Sequence, residues 1–226
     1  MKEIPDCSVD MVFADLPFGT TNCKWDTVIN LDLLWPELIR IAKPNAAILM
    51  FAQTPFDKVL GASNLPMLKY EWIWEKVAAT GHLNAKKMPM KAHENILVFY
   101  KKLPTYNPQK TTGHKPVNSY TKKHDADGEC YGKTISVSGG GSTERYPRSV
   151  LVFSSDKQKS KLHPTQKPIA LLEYLIKTYT NEGDVVFDPT FGAGSMGVAA
   201  KNLQRDFIGI EMDEGCFEIA KNRIGA

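Results

Sequence analysis

The chain has 226 residues, 42% of them hydrophobic, and a formal net charge of +3, which suits one α/β domain with a real core and room for one inserted subdomain. No apolar run approaches the ~18 residues of a membrane span, and Met1-Lys-Glu-Ile-Pro5 lacks the apolar stretch of a signal peptide, so no membrane partner and a cytoplasmic location are expected. Cys7, Cys23, Cys130 and Cys216 are scattered without CxxC or CxH spacing, which argues against structural zinc and a disulfide framework and for reduced thiols.

Residues 9–14 form a short β-prone run that stops abruptly at Asp15-Leu16-Pro17-Phe18-Gly19. Asp15 and Phe18 should therefore project from the carboxyl end of a strand, the edge where open α/β sheets bind ligands. A polar loop, 20–26, carries Trp25. Apolar residues at 31, 34, 35, 38, 39, 41 and 42 predict a helix over 31–43, ended by Pro44. Residues 46–52 read as a buried strand, 55–61 as a short helix, and 70–76 and 95–100 as two more strands. Between the last two, Lys86, Lys87 and Lys91 suggest phosphate contacts on a solvated loop. Glu94 and His93 read as structural.

Residues 101–162 show neither helical nor strand periodicity, and hold 12 Lys+Arg against 5 Asp+Glu while the rest of the chain is net acidic. Tyr106, Tyr120, Tyr131, Tyr146 and Phe153 interleave with Lys122, Lys123, Arg145 and Arg148 among prolines and the run Gly139-Gly-Gly141. Basic side chains, aromatic faces and flexible turns together suit phosphate contacts and base stacking; a plain surface excursion has the same composition.

Pro164 and Pro168 frame a helix over 169–179. Residues 183–187 then form a short strand that leads into Asp188-Pro-Thr-Phe191-Gly192-Ala193-Gly194-Ser195 and a helix over 196–203. Glycine permits positive φ and a close approach of ligand to backbone, and the helix start offers unpaired N–H groups. A second strand, 206–210, ends at Glu211, the position from which an acid takes ribose hydroxyls in Rossmann-type sites. Two glycines and an acid suggest a nucleoside-containing cofactor and do not say which.

Three motifs in this order resemble the S-adenosylmethionine-dependent DNA amino-methyltransferases: Asp15-Leu-Pro-Phe18, His163-Pro-Thr-Gln-Lys-Pro168, and Asp188 to Ser195. Catalytic motif, basic insert and cofactor motif follow one another as in the circularly permuted β class. The resemblance implies a Rossmann-like class I methyltransferase fold, α/β, with a mostly parallel sheet and helices on both faces. It implies a catalytic half at 1–100, a target-recognition insert at 101–162 and a cofactor-binding half at 163–226. Asp15 and the Leu16 carbonyl would accept the two N–H bonds of an exocyclic amine, Pro17 would stiffen the turn, and Phe18 would stack on an extruded base. Asp188, Phe191 and the backbone of Gly192, Ala193, Gly194 and Ser195 would hold the methionine part of S-adenosyl-L-methionine. Glu211 would take its ribose, and Thr165, Gln166 and Lys167 would lie near its carboxylate.

The implied activity is methyl transfer to adenine N6 in double-stranded DNA, favoured over cytosine N4 by aspartate in the first catalytic position. A DNA-binding protein with a degenerate methyltransferase fold is the non-enzymatic alternative. Further candidate partners are a second copy of the chain and a cognate restriction endonuclease. Leu16 and Phe18 depart from the family's usual Asp-Pro-Pro-Tyr; a carbonyl and a stacking face survive both changes. The family's Gly-Asp strand before residue 9 is expected to be absent: either the start is truncated, or the adenine side of the cofactor site is open or completed by another subunit.

Overall fold

The computed structural model describes residues 1–20, 26–122, 137–155 and 166–225. It divides into two compact units: Met1–Asn107 with Ser149–Ala226, and Pro108–Arg148. Trp25, Lys123, Thr165 and the His163-Pro164 pair fall outside the described residues, as do Cys23 and Cys130.

The larger unit is built on strand β1 (Val9–Ala14), whose residues are apolar on both faces. Val12 and Ala14 point into one apolar cluster while Met11 and Phe13 point into the other, so the strand must lie between two layers of helix. Helix α1 (Leu31–Ile41) starts at Asn30, whose side chain accepts the Asp32 N–H at 2.9 Å, and packs Leu34, Trp35 and Leu38 on the first face. It ends at Ile41, earlier than predicted. Pro44 does not stop the helix; it sits inside β2 (Ala42–Ala52), in the irregular stretch where the β1–β2 register jumps from Val9↔Ala42 to Met11↔Ala47. Proline lacks the N–H of a regular ladder, and an irregular stretch accommodates it.

Helix α2 (Phe56–Ser63) leads to β3 (Leu68–Thr80), a one-turn 3-10 helix at His82–Asn84 and β4 (Lys91–Phe99). Helix α3 (Ile169–Tyr179), with the bounds that its periodicity predicts, fills the second face with Leu171, Leu172, Leu175 and Ile176. Strand β8 (Val185–Asp188), helix α4 (Ser195–Asn202), strand β9 (Asp206–Gly209) and helix α5 (Glu214–Ile224) complete this unit. Helix α5 is not predicted above, although Asp213 caps it by accepting the Cys216 N–H and Gly225 ends it in a left-handed conformation.

With β7 (Val150–Phe153), the sheet runs β7-β3-β4-β2-β1-β8-β9. Strands β2 and β8 flank β1 in parallel, β9 continues the run, and β7 is parallel to β3; only the β2–β4 and β3–β4 pairs are antiparallel. Asp10 ties the centre together: its carboxylate takes Lys43 Nζ at 2.7 Å and the Val185 N–H at 3.0 Å.

The smaller unit holds the two-stranded ribbon β5 (Tyr120–Lys122) and β6 (Val137–Gly139), and the bridge Thr111↔Arg145. The compact division thus falls inside residues 101–162, because β7 pairs with β3 and belongs to the main sheet. Among the described residues no helix is long and apolar enough to cross a membrane.

Candidate active site

The sheet's order reverses beside β1: β2 comes next in the chain on one side, while β8 on the other side is reached only after the long excursion through β3 to α3. Ligands of open α/β sheets bind at such a point, outside the carboxyl ends of the strands. Asp15 directly follows β1 and Asp188 ends β8, so both motifs arrive at that edge. A cavity of about 200 Å³ opens there, lined by Asp15 to Phe18, Gln53, Trp74, Glu94, Gln166 and Lys167, among others.

The loop after Phe18 is pinned from within. Asp26, almost fully buried, accepts the N–H groups of Gly19 at 2.8 Å and Thr20 at 2.9 Å. Gly19 has φ +66°, and a Cβ there would lie 2.8 Å from Val28, so glycine is required by conformation and by space. Leu16 is buried, and Phe18 is half-buried with one face stacked on Phe56 at 5.5 Å between ring centroids. Gln53 lies at the rim, donating to Thr20 Oγ1 at 3.1 Å and accepting from Lys91 Nζ at 3.0 Å.

The floor is a row of alternating charges. Lys167 Nζ donates to Asp15 Oδ2 at 2.6 Å and lies 3.5 Å from Glu94 Oε2, while Lys76 Nζ donates to Glu94 Oε1 at 2.6 Å. Burial favours the neutral form of Lys167, yet Asp15 and Glu94 outweigh it and raise its pKa. Burial likewise opposes ionisation of Glu94, and Lys167 and Lys76 overcome it and hold the carboxyl below its ordinary range. Glu94 and Lys76 arrive through antiparallel pairing: Ala52↔Asn95 brings the start of β4 to the end of β2, and Trp74↔Glu94 brings the far half of β3 alongside. Sequence reasoning assigned Glu94 to structure and passed over Lys76, Gln53, Trp74 and Asp26. Alternation within β3 shows which residues share a face and not which strand end they reach.

The glycine turn follows β8, the parallel neighbour of β1. Asp188 is 3% exposed, and its Oδ1 accepts the Thr190 N–H at 2.9 Å. Burial pushes its carboxyl up to about 8, against the Thr190 hydrogen bond, and the charges of Asp15 and Glu211 push it the same way as burial. Gly192 has φ +51°, and a Cβ there would meet nothing within 4 Å, so its bare backbone faces open space. Gly194 (φ +78°) is needed for packing, since a Cβ would lie 2.7 Å from that of Ala220. Glu211 reaches back over the turn: Oε2 accepts the Gly192 N–H at 2.9 Å, and Oε1 accepts those of Met212 and Asp213. Ser195 and Ala193 are buried and contact Arg223, whose guanidinium donates to the Ala193 carbonyl. Phe191 is buried edge-on against Phe207 and Phe217. Gln166 is also buried, and its Oε1 has no hydrogen-bond partner among the described residues. An uncompensated carboxylate, an orphaned acceptor and a bare glycine backbone suit a ligand that carries positive charge and N–H or O–H donors.

The basic residues fare unevenly. Lys86 and Lys87 are exposed after the 3-10 helix, and Lys91 begins β4 at the rim. In the smaller unit Arg148 is exposed, and Lys122 closes β5. Arg145 is already engaged there, donating to the carbonyls of Ser142, Glu144 and Lys115, which ties the loop to itself.

Comparison with known proteins gives a consistent result. The model of a DNA methylase family, of N6 and N4 methyltransferases, matches residues 9–222. The type II methyltransferase M.HpaI of Haemophilus parainfluenzae is 28% identical over 238 residues, covering 99% of this chain and 70% of its own length. M2.DpnII of Streptococcus pneumoniae, also a type II methyltransferase, is 50% identical over 64 residues, 28% of this chain and 24% of its own. Among solved structures, the M1.HpyAVI–SAM complex superposes with a TM-score of 0.64 at 26% identity, over 96% of this chain and 89% of that one. The cytosine-N4-specific PvuII DNA methyltransferase reaches 0.68 at 16% identity, over 98% and 81%, a likeness of fold alone.

Proposed function

Since the chain belongs to the DNA methylase family of N6 and N4 amino-methyltransferases, we propose that it methylates the N6 amine of adenine in a base taken out of double-stranded DNA. Its sheet is that of the Rossmann-like class I methyltransferases, and S-adenosyl-L-methionine is its methyl donor. Bound, the donor supplies a methyl group on a positively charged sulfur. Asp188, the Gln166 carbonyl and the Gly192 turn are the residues that would hold it, with Glu211 at the ribose. Its charges and donors match the acceptors that those residues present without a cation.

The observation that carries the reading is the placement of Asp15 and Asp188 at the carboxyl ends of adjacent parallel strands, close enough for the charge of Asp15 to act on Asp188. The lone pair of adenine's amine is delocalised into the ring, which makes it a poor nucleophile. Asp15 accepting one N–H and the Leu16 carbonyl accepting the other draw the nitrogen toward tetrahedral geometry and aim its lone pair. Phe18, held against Phe56, stacks on the base. Positioning and fixed dipoles supply the rate, with no covalent intermediate on the protein. The order of the motifs fits the permuted β class. The unit Pro108–Arg148, with exposed Arg148, fits a target-recognition role, and exposed Lys86 and Lys87, with Lys91 at the rim, fit phosphate contacts.

The test is direct. The protein is incubated with labelled S-adenosyl-L-methionine and unmethylated genomic DNA, and the digested nucleosides are analysed by mass spectrometry. N6-methyladenine is expected. N4-methylcytosine would keep the mechanism and overturn the base, and the absence of any methylated base would overturn the DNA substrate.

A further inference from the structure

Lys167 raises a question that the family resemblance does not answer. The resemblance places it at the carboxylate end of the cofactor, whereas its ammonium is engaged by the protein itself. It donates to Asp15 Oδ2, lies beside Glu94 Oε2 and sits 4.8 Å above the centroid of the Phe51 ring. Glu94 is in turn fixed by Lys76, which lies 5.2 Å over the Trp74 ring. The four charged groups come from the end of β1, from β3, from β4 and from the lead into α3. Their side chains keep between 10% and 22% of their free exposure, so all four have left most of their water.

Such an arrangement is expensive. Desolvating two lysines and two carboxylates is unfavourable before pairing, and buried ion pairs seldom recover it in stability. Backbone N–H groups can also hold a carboxylate: those of Gly19 and Thr20 reach Asp26, and that of Thr190, with its hydroxyl, reaches Asp188. What N–H groups on the neutral backbone do not supply is a full positive charge beside Asp15. That charge matters here because Asp188 faces Asp15 from β8, Asp26 lines the same cavity from the loop, and Glu94 stands behind from β4. Acids so crowded suppress one another's ionisation unless a cation intervenes.

Resting on the reading that Asp15 receives the target amine, we propose that Lys167 is a positioning residue for Asp15, and that Glu94 with Lys76 sets the position and share of charge of Lys167. Lys167 keeps Asp15 an anion and fixes the rotation of its carboxylate. Glu94 draws part of the ammonium's field away, so that Asp15 stays a strong acceptor rather than being neutralised by a single tight pair. The two residues therefore act on Asp15 with opposite sign. Removing Lys167 makes Asp15 harder to ionise; removing the charge of Glu94 makes it easier.

The opposition is the test. Lys167→Met, Lys167→Arg and Glu94→Gln are made in the full chain. kcat is followed against pH with S-adenosyl-L-methionine and unmethylated DNA, cofactor Kd is measured by calorimetry, and the Asp15 carboxyl is titrated in ligand-free protein by carbon NMR, assigned with Asp15→Asn. Lys167→Met is expected to lower kcat by about 30-fold or more near neutral pH, as expected for loss of an interaction made to the reacting centre. Its acid limb and its Asp15 titration should both move up by about one unit, with cofactor Kd within about threefold of wild type. Lys167→Arg should restore the limb and most of kcat. Glu94→Gln should lower kcat by about fivefold to tenfold and move the Asp15 titration down.

A Kd weakened more than about tenfold with kcat and the acid limb unchanged would show Lys167 serving the cofactor carboxylate and overturn the proposal. So would an Asp15 titration that Glu94→Gln leaves in place, and this milder variant decides the matter if Lys167→Met does not fold. Methylation that survives Asp15→Ala sinks the parent reading instead, a distinct result.

Discussion

The ends of the neighbouring strands β1 and β8 treat negative charge in opposite ways. On the β1 side, Asp15 and Glu94 are matched by Lys167 and Lys76, and the row is neutral as it stands. On the β8 side, Asp188 and Glu211 are met only by N–H groups and the Thr190 hydroxyl, with no lysine or arginine paired to either among the described residues. The first side is ready to receive a neutral amine. The second holds a deficit of positive charge that a cationic donor would fill. A protein that binds a sulfonium beside an uncharged nucleophile is served by this asymmetry, because a lysine at Asp188 would repel the ligand, whereas one at Asp15 offsets the negative charge gathered there.

The sharpest break of the neutral side is Asp15→Asn. It keeps the shape, replaces an anionic acceptor by a weaker one and leaves Lys167 without its partner. We expect kcat to fall by about 1,000-fold or more, with DNA and cofactor Kd changed by less than about threefold, measured by single-turnover methylation and by titration.

Asp188→Asn breaks the other side. Loss of a charged acceptor should weaken cofactor binding by about 10- to 100-fold, the scale of a hydrogen bond to a charged group. The same change should stabilise the ligand-free protein, and the sign follows from linkage. Asp188 is raised from 3.8 to about 8 on folding, so the folded state holds a proton that the unfolded state releases. Its contribution to stability is complete below about pH 4, declines as pH rises and is lost by about pH 8. The gain in Tm from Asn should therefore grow between these pH values and level off above them, which thermal melts across pH would follow.

Wild-type cofactor affinity should show the same linkage. A cationic ligand favours ionised Asp188, so binding below about pH 8 releases a proton. Kd should fall as pH rises toward that value, by no more than about tenfold per pH unit. Calorimetry in buffers of different ionisation enthalpy reads the proton directly, and uptake instead of release would contradict the assignment.

The smallest effect is expected outside the cleft. Lys86→Ala with Lys87→Ala should leave kcat at saturating DNA unchanged and reduce the slope of log K against log salt by up to about 2. An unchanged slope would place both lysines off the DNA.

Much of this was legible in the chain. The runs 9–14 and 46–52 announce strands, and Asp15-Leu-Pro-Phe18 and the Gly192–Gly194 turn identify their own strand ends, because local chain chemistry stops a strand or opens a turn wherever it occurs. Helix α3 has the bounds that its periodicity predicts, whereas α1 is shorter than its pattern suggests, because a proline that ends a helix and one that sits in an irregular strand look alike in sequence. What the tertiary structure alone decided is who meets Asp15. Lys167 lies 152 positions away and reaches it through the parallel neighbours of β1, and Glu94 and Lys76 arrive by the antiparallel turns of β3 and β4. Periodicity fixes the face of a residue and local motifs fix a strand's end. Strand order and direction, set by how two apolar faces are covered at once, determine which charges share a cleft.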